Sequence, residues 1–200
     1  MRSPHVAGLV VVVAFGASVA AAQATADDTK TFESAAFRYS VALPNGCRHE
    51  EGPGTLEAIY SPDLDAEKSS TASAAAALVL EVGVESVPAD AGAPPAELAQ
   101  RYGETQFKEE LAEAICGETD RAKVKIDNAK QVLEEARVVY TAGVTCPEIK
   151  FLGLGARRAV VQFLITPELR YRLMARAQTE DFEKRKEAVD AFFASFRILP

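Results

Sequence analysis

The strongest signal along the 200-residue chain is a two-residue alternation of apolar and polar positions, repeated in several stretches. In "AFRYSVALP", Phe37, Tyr39 and Val41 alternate with Arg38, Ser40 and Ala42. That is the period of a strand with one buried face. Pro44-Asn45-Gly46 then supplies turn chemistry. "TLEAIYSP" predicts a second short strand, and "ALVLEVGVESV" a longer one. In the latter, Leu78, Leu80, Val82 and Val84 share one face, while Glu81, Gly83 and Glu85 share the other. "RAKVKID" alternates again, and a turn at Asp127-Asn128 is expected before "KQVLEEARVVYTAGV", a further strand or pair of strands. "AVVQFLI" and "RYRLMARA" flank Thr166-Pro167-Glu168-Leu169 and predict a hairpin.

The period lengthens to that of a helix in two places. "AELAQRYGETQFKEELAEAICG" follows the proline-rich loop "PADAGAPP", and proline suits a first helical turn. Leu98 and Tyr102 fall on one side, Phe107, Leu111 and Ala114 on nearly the opposite one. Gly103 lies between them, so a kink or two short helices are expected. At the carboxy terminus Phe182, Val189, Phe192, Phe193 and Phe196 recur at helical spacing. Thr179 is placed to cap this helix, and Glu180 and Asp181 oppose the positive end of its dipole. Acids match bases on its polar side, whereas a membrane-surface helix would carry an excess of Lys and Arg. The phenylalanines therefore predict a core face lying on a sheet. "DLDAEKSSTASAAAA" and "CPEIKFLGLGARR" read as connections. The predicted class is α+β, an antiparallel sheet with helices packed on it.

The front of the chain changes the count of folded residues. One basic residue, Arg2, precedes an apolar run from Val6 to about Ala22, followed by Ala22-Gln23-Ala24. This is the layout of a secretory signal peptide, taken as residues 1–24. The run is short and glycine-broken for a membrane span. Residues 25–31 read as a polar leader, leaving 32–200 as a single α+β domain. No stable membrane insertion is expected after removal of the signal, and a periplasmic or secreted location follows. The net charge of −7 disfavours duplex nucleic acid as a partner.

Export places Cys47, Cys116 and Cys146 where a disulfide can form. Cys116 follows a helical stretch and Cys146 a strand, so Cys116–Cys146 is the first choice. The other two pairings stay open, and one cysteine is left over.

Candidate chemistry is sparse. Beyond the signal segment the one histidine is His49, two residues from Cys47 in "GCRHEE". On a strand those side chains would share a face about 6–7 Å apart. A thiol- or hydrolase-type enzyme would have to use this pair. A metal site would need Glu50 or Glu51 besides, and structural zinc asks for four ligands. No catalytic residue, metal or cofactor is assigned. In the second strand of the predicted hairpin, Arg170, Arg172 and Arg176 share one face, opposite Tyr171, Leu173 and Ala175, with Arg157 and Arg158 upstream. These five are the candidate anion or partner patch. The competing reading is a solvated sheet face with Glu81 or Glu85 nearby.

Three of these stretches carry a resemblance. "FRYSVALPNGC", the hairpin "AVVQFLITPELRYRLMARA" and the closing "EDFEKRKEAVDAFFASFRI" resemble the PsbP-like family. The carrying features are Phe37, Tyr39, Val41 and Pro44 at the front, and Ser195, Phe196 and Arg197 at the end. The likeness spans about residues 32–198 in the order of elements. It implies an α/β/α sandwich around an antiparallel sheet. It also implies accessory or binding roles rather than catalysis, and supplies no catalytic residues. The expected function is that of an exported, non-enzymatic accessory or binding protein of the bacterial envelope. Its partner would be another envelope protein or a small ligand.

Overall fold

A computed structural model describes residues 29–60, 78–87, 92–101, 115–116, 124–147 and 155–200. Ten strands carry most of the described chain. They are β1 (Thr29–Ser34), β2 (Tyr39–Pro44), β3 (Arg48–Gly52), β4 (Thr55–Tyr60), β5 (Leu78–Ser86), β6 (Lys125–Leu133), β7 (Val138–Cys146), β8 (Arg157–Ile165), β9 (Leu169–Gln178) and β10 (Arg197–Ile198). The helices are α1 (Pro95–Arg101), α2 (Thr179–Lys184) and α3 (Lys186–Ser195). Seven strands form one open antiparallel sheet in the order β3-β4-β5-β9-β8-β7-β6, and β1-β2-β10 form a second.

Side-chain alternation divides the large sheet into two cores. On one face Leu56, Leu80, Val82, Leu164, Tyr171, Leu173 and Ala175 pack with Phe182, Val189, Phe192 and Phe196. Tyr39, Val41 and Leu43 of the small sheet join them. On the other face Tyr140, Val144, Val161, Phe163 and Met174 pack with Leu98, Ile115 and Cys116. α2, α3 and the small sheet thus cover one face of the large sheet and α1 the other, which gives the sandwich. The terminal phenylalanines are core: Phe192 is 1% exposed.

The Ser195-Phe196-Arg197 run joins the layers. The Phe196 ring stacks on Tyr39 at 5.7 Å and meets Tyr171 edge-on at 5.6 Å. β10 pairs only with Ser40 and Tyr39 of β2. Beyond its end the Ala42 N–H would lack a partner, and it donates instead to Ser195 Oγ at 2.9 Å. Arg197 turns back to donate to the carbonyls of Ala194 and Phe196.

Several local expectations need correction. Thr29 to Thr31 are not a leader but the start of β1, paired with β2 through Thr29↔Pro44. Phe37 is half-buried in a turn, because Arg38 takes a left-handed φ of 52° and β2 begins at Tyr39. Arg48 to Gly52, polar throughout, form β3 because the Pro44–Cys47 turn and the Gly52–Thr55 turn set them against β4. Gly54 is required there: its φ is +72°, and a Cβ would lie 2.5 Å from the Val84 carbonyl.

Asp127-Asn128 is a bulge inside β6 rather than a turn. The left-handed Asn128 absorbs the extra residue, and the chain reverses later, between Leu133 and Val138. Thr179 does not cap its helix through its side chain. Its hydroxyl donates to the Ala156 carbonyl, which ties β8 to the start of α2. The single closing helix is two, interrupted at Arg185. The signal segment, the expected kink at Gly103, the connection at 63–77 and residues 148–154 of the second connection lie outside the described residues.

Candidate functional site

The described helices leave part of the large sheet open. α1 packs on β6 and β7, α2 on β8 and β9, and α3 against β2. On the α1 face the covered core ends at Met174 of β9. From β9 outward to β5 and β4, that face carries charge, and no described helix lies over it.

Strand parity builds this surface. In β9 the residues between Tyr171, Leu173 and Ala175 must point to the opposite side, and these are Arg170, Arg172 and Met174, followed by Arg176. In β5 the same side receives Glu81, Gly83 and Glu85, and in β4 Glu57. A row of arginines therefore lies beside a row of glutamates. Arg170 Nε donates to Glu85, and Arg172 Nη2 to Glu81. Arg176 reaches diagonally over β5 to Glu57 at 3.5 Å. The Arg172 guanidinium lies above Gly83, where a Cβ would come within 3.5 Å of it. The Glu81 side chain is only 13% exposed, so that pair is partly desolvated. The other pairs are more open and individually weak.

The five-arginine patch does not assemble as one surface. Arg170, Arg172 and Arg176 lie together, and each meets a glutamate. Arg157 is on the same face but at the start of β8, across from Cys146 and Gln178. Arg158 is on the reverse face, stacked over Phe182 at 5.9 Å with Glu183 at 3.7 Å. The carboxylate row turns a cationic patch into a mixed ladder. Glu57, absent from the sequence reading, was signalled by the outward parity of Thr55, Glu57 and Ile59 against Leu56, Ala58 and Tyr60.

Cys47 lies in the turn after β2, and His49 on β3. Cys47 is half-buried against the aromatic core, and burial pushes its thiol up to about 12. The His49 ring lies edge-on to Phe32 at 5.9 Å on the exposed strand β3. A thiol held protonated is a poor nucleophile. Among the described residues no three His, Cys, Asp or Glu side chains are grouped to hold a metal ion. Cys116 and Cys146 form a disulfide, with Cα atoms 5.4 Å apart, and it fastens the helical backbone at Ile115–Cys116 to β7. No helix among the described residues is long and apolar enough to cross a membrane.

No protein-family model matches the chain, and no curated protein matches it in sequence. Solved structures match it in shape. Cyanobacterial PsbP (CyanoP) from Synechocystis sp. PCC 6803 is 13% identical with a TM-score of 0.53, over 88% of this chain and 95% of that one. LpqN of Mycobacterium tuberculosis, described as involved in cell envelope biogenesis, is 10% identical with a TM-score of 0.55, over 88% of this chain and 87% of that one. The chain has the PsbP-like fold, an α+β arrangement of open antiparallel sheets. The resemblance carried by the first long strand, the hairpin and the closing helix holds at the level of fold.

Proposed function

We propose that the protein is an exported, non-enzymatic accessory or binding protein of the bacterial envelope, and that it docks its partner on the open face of β9, β5 and β4. The observation that carries this reading is the Arg170–Glu85, Arg172–Glu81 and Arg176–Glu57 ladder on a sheet face that no described helix covers. Alternating charge on a flat surface suits a protein partner with the opposite pattern, and it disfavours a free anion. The fold shared with an envelope-biogenesis protein supports the envelope setting. The raised Cys47 thiol supports a non-catalytic role. In this reading the protein is periplasmic or secreted, and the disulfide fits an oxidising compartment.

The test is affinity capture from an envelope fraction with the wild type and with an Arg172→Glu/Glu81→Arg exchange. The exchange keeps an ion pair within the chain but inverts the pattern shown to a partner. Loss of a specifically captured protein, with circular dichroism unchanged, is the expected result. Capture that survives the exchange removes this face from the function. Turnover in a substrate screen that is abolished by His49→Ala would replace binding by catalysis.

A further inference from the structure

The two edges of the large sheet differ in kind. Edge strand β3 is fully exposed and reads Arg-His-Glu-Glu-Gly, a charged rim that discourages pairing. Edge strand β6 is also exposed from Asn128 to Leu133, yet it carries Val132 and Leu133, the exposed large hydrophobics among the described residues. Its bulge lies between Asp127 and Lys130, so the run from Lys130 onward is regular. The Glu134 N–H donates to the Arg137 carbonyl at 2.9 Å and closes the β6–β7 hairpin. Alternation from that bond turns the backbone groups of Gln131 and Leu133 outward, away from β7. Among the described residues no strand receives them.

We propose that this edge pairs with β6 of a second copy of the chain, around a two-fold axis at Val132. The sequence there is complementary to itself. An antiparallel copy sets Val132 against Val132 of the second copy, as the close pair without mutual hydrogen bonds. Gln131 then faces Leu133 of the second copy, which joins the two residues whose N–H and C=O groups point outward. Lys130 faces Glu134 of the second copy, and symmetry makes that contact twice. Lys130 has no carboxylate beside it among the described residues, whereas Glu134 also holds Arg137 at 2.6 Å. The apolar pair is thus flanked by ion pairs, and two seven-stranded sheets become continuous across the axis. This inference does not depend on the charged face of β9, β5 and β4.

Sedimentation velocity across a wide concentration range tests it. The wild type should pass reversibly from one-chain to two-chain mass, and the Gln131 and Leu133 amides should exchange more slowly as the dimer forms. Val132→Lys should raise the dimer dissociation constant about tenfold or more, since a charge at a paired edge opposes pairing. Lys130→Glu should do the same, and the exchange Lys130→Glu/Glu134→Lys should recover dimerisation. Circular dichroism checks that each variant is folded. A chain that keeps one-chain mass at every concentration overturns the proposal. So does a dimer indifferent to Val132→Lys, or a one-chain protein whose β6 variants instead lose a captured extended peptide.

Discussion

Replacing both Cys116 and Cys146 by Ala tests how the α1 face is held together. The bridge closes a segment with a sequence separation of 30. Chain-entropy reasoning gives about 12 cal/mol/K for a loop of that length, or about 3.6 kcal/mol at 25 °C. For a domain of this size the same figure corresponds to a fall in Tm of about 7–14 °C. The structure says where the loss is felt. Ile115 and Cys116 reach β7 through the bridge and a small apolar contact set, and Leu98 is the buried anchor of α1. Without the bridge, that cover must be held by those contacts alone. Guanidinium unfolding followed by circular dichroism gives the free energy directly. Wild type in strong reductant should approach the double variant, and Cys47→Ala should respond to reductant as wild type does. A double variant within about 1 kcal/mol of wild type would refute the loop-closure account, because the entropy released by cutting the bridge would then be missing.

Two further outcomes follow from the packing. Ser195→Ala should cost about 1–3 kcal/mol in the same assay, because the Ala42 N–H beyond the end of β10 loses its acceptor; a loss near zero would mean that another acceptor replaces Oγ. Stability should fall as pH rises from about 9 toward about 12. Burial raises Cys47 from 9.0 and Tyr39 from 10.0 to about 12 each, so the folded state keeps protons that the unfolded chain releases. That contribution is intact below the unfolded values and is lost as the folded values are approached. Thermal melts of Cys47→Ala and Tyr39→Phe should show a flatter decline over this window than wild type.

Much of the architecture was legible because burial imposes a period. Leu78, Leu80 and Val82 alternate with Glu81 and Gly83, so β5 could be read directly. The Thr166–Leu169 turn announced the β8–β9 hairpin, and the phenylalanine spacing announced a helix on a sheet. What escaped lacks such a period. β3 is exposed on both faces, so no hydrophobic pattern marks it, and only its neighbours' turns make it a strand. The Asn128 bulge imitates a turn because both use a left-handed residue. The arginines were visible, but the distance from β4 to β9 in the chain hid the Glu57 partner of Arg176. Sequence parity assigns a side chain to a face, yet it does not say which strand lies alongside.

Because the strands near the middle of the large sheet supply side chains to a core on each side, β9 has no neutral direction in which to slide. A displacement by one position would drive Arg170 and Arg172 into the aromatic cluster at Phe196 and send Tyr171 and Leu173 out among the glutamates. The ladder of opposite charges therefore acts as a ratchet on alignment.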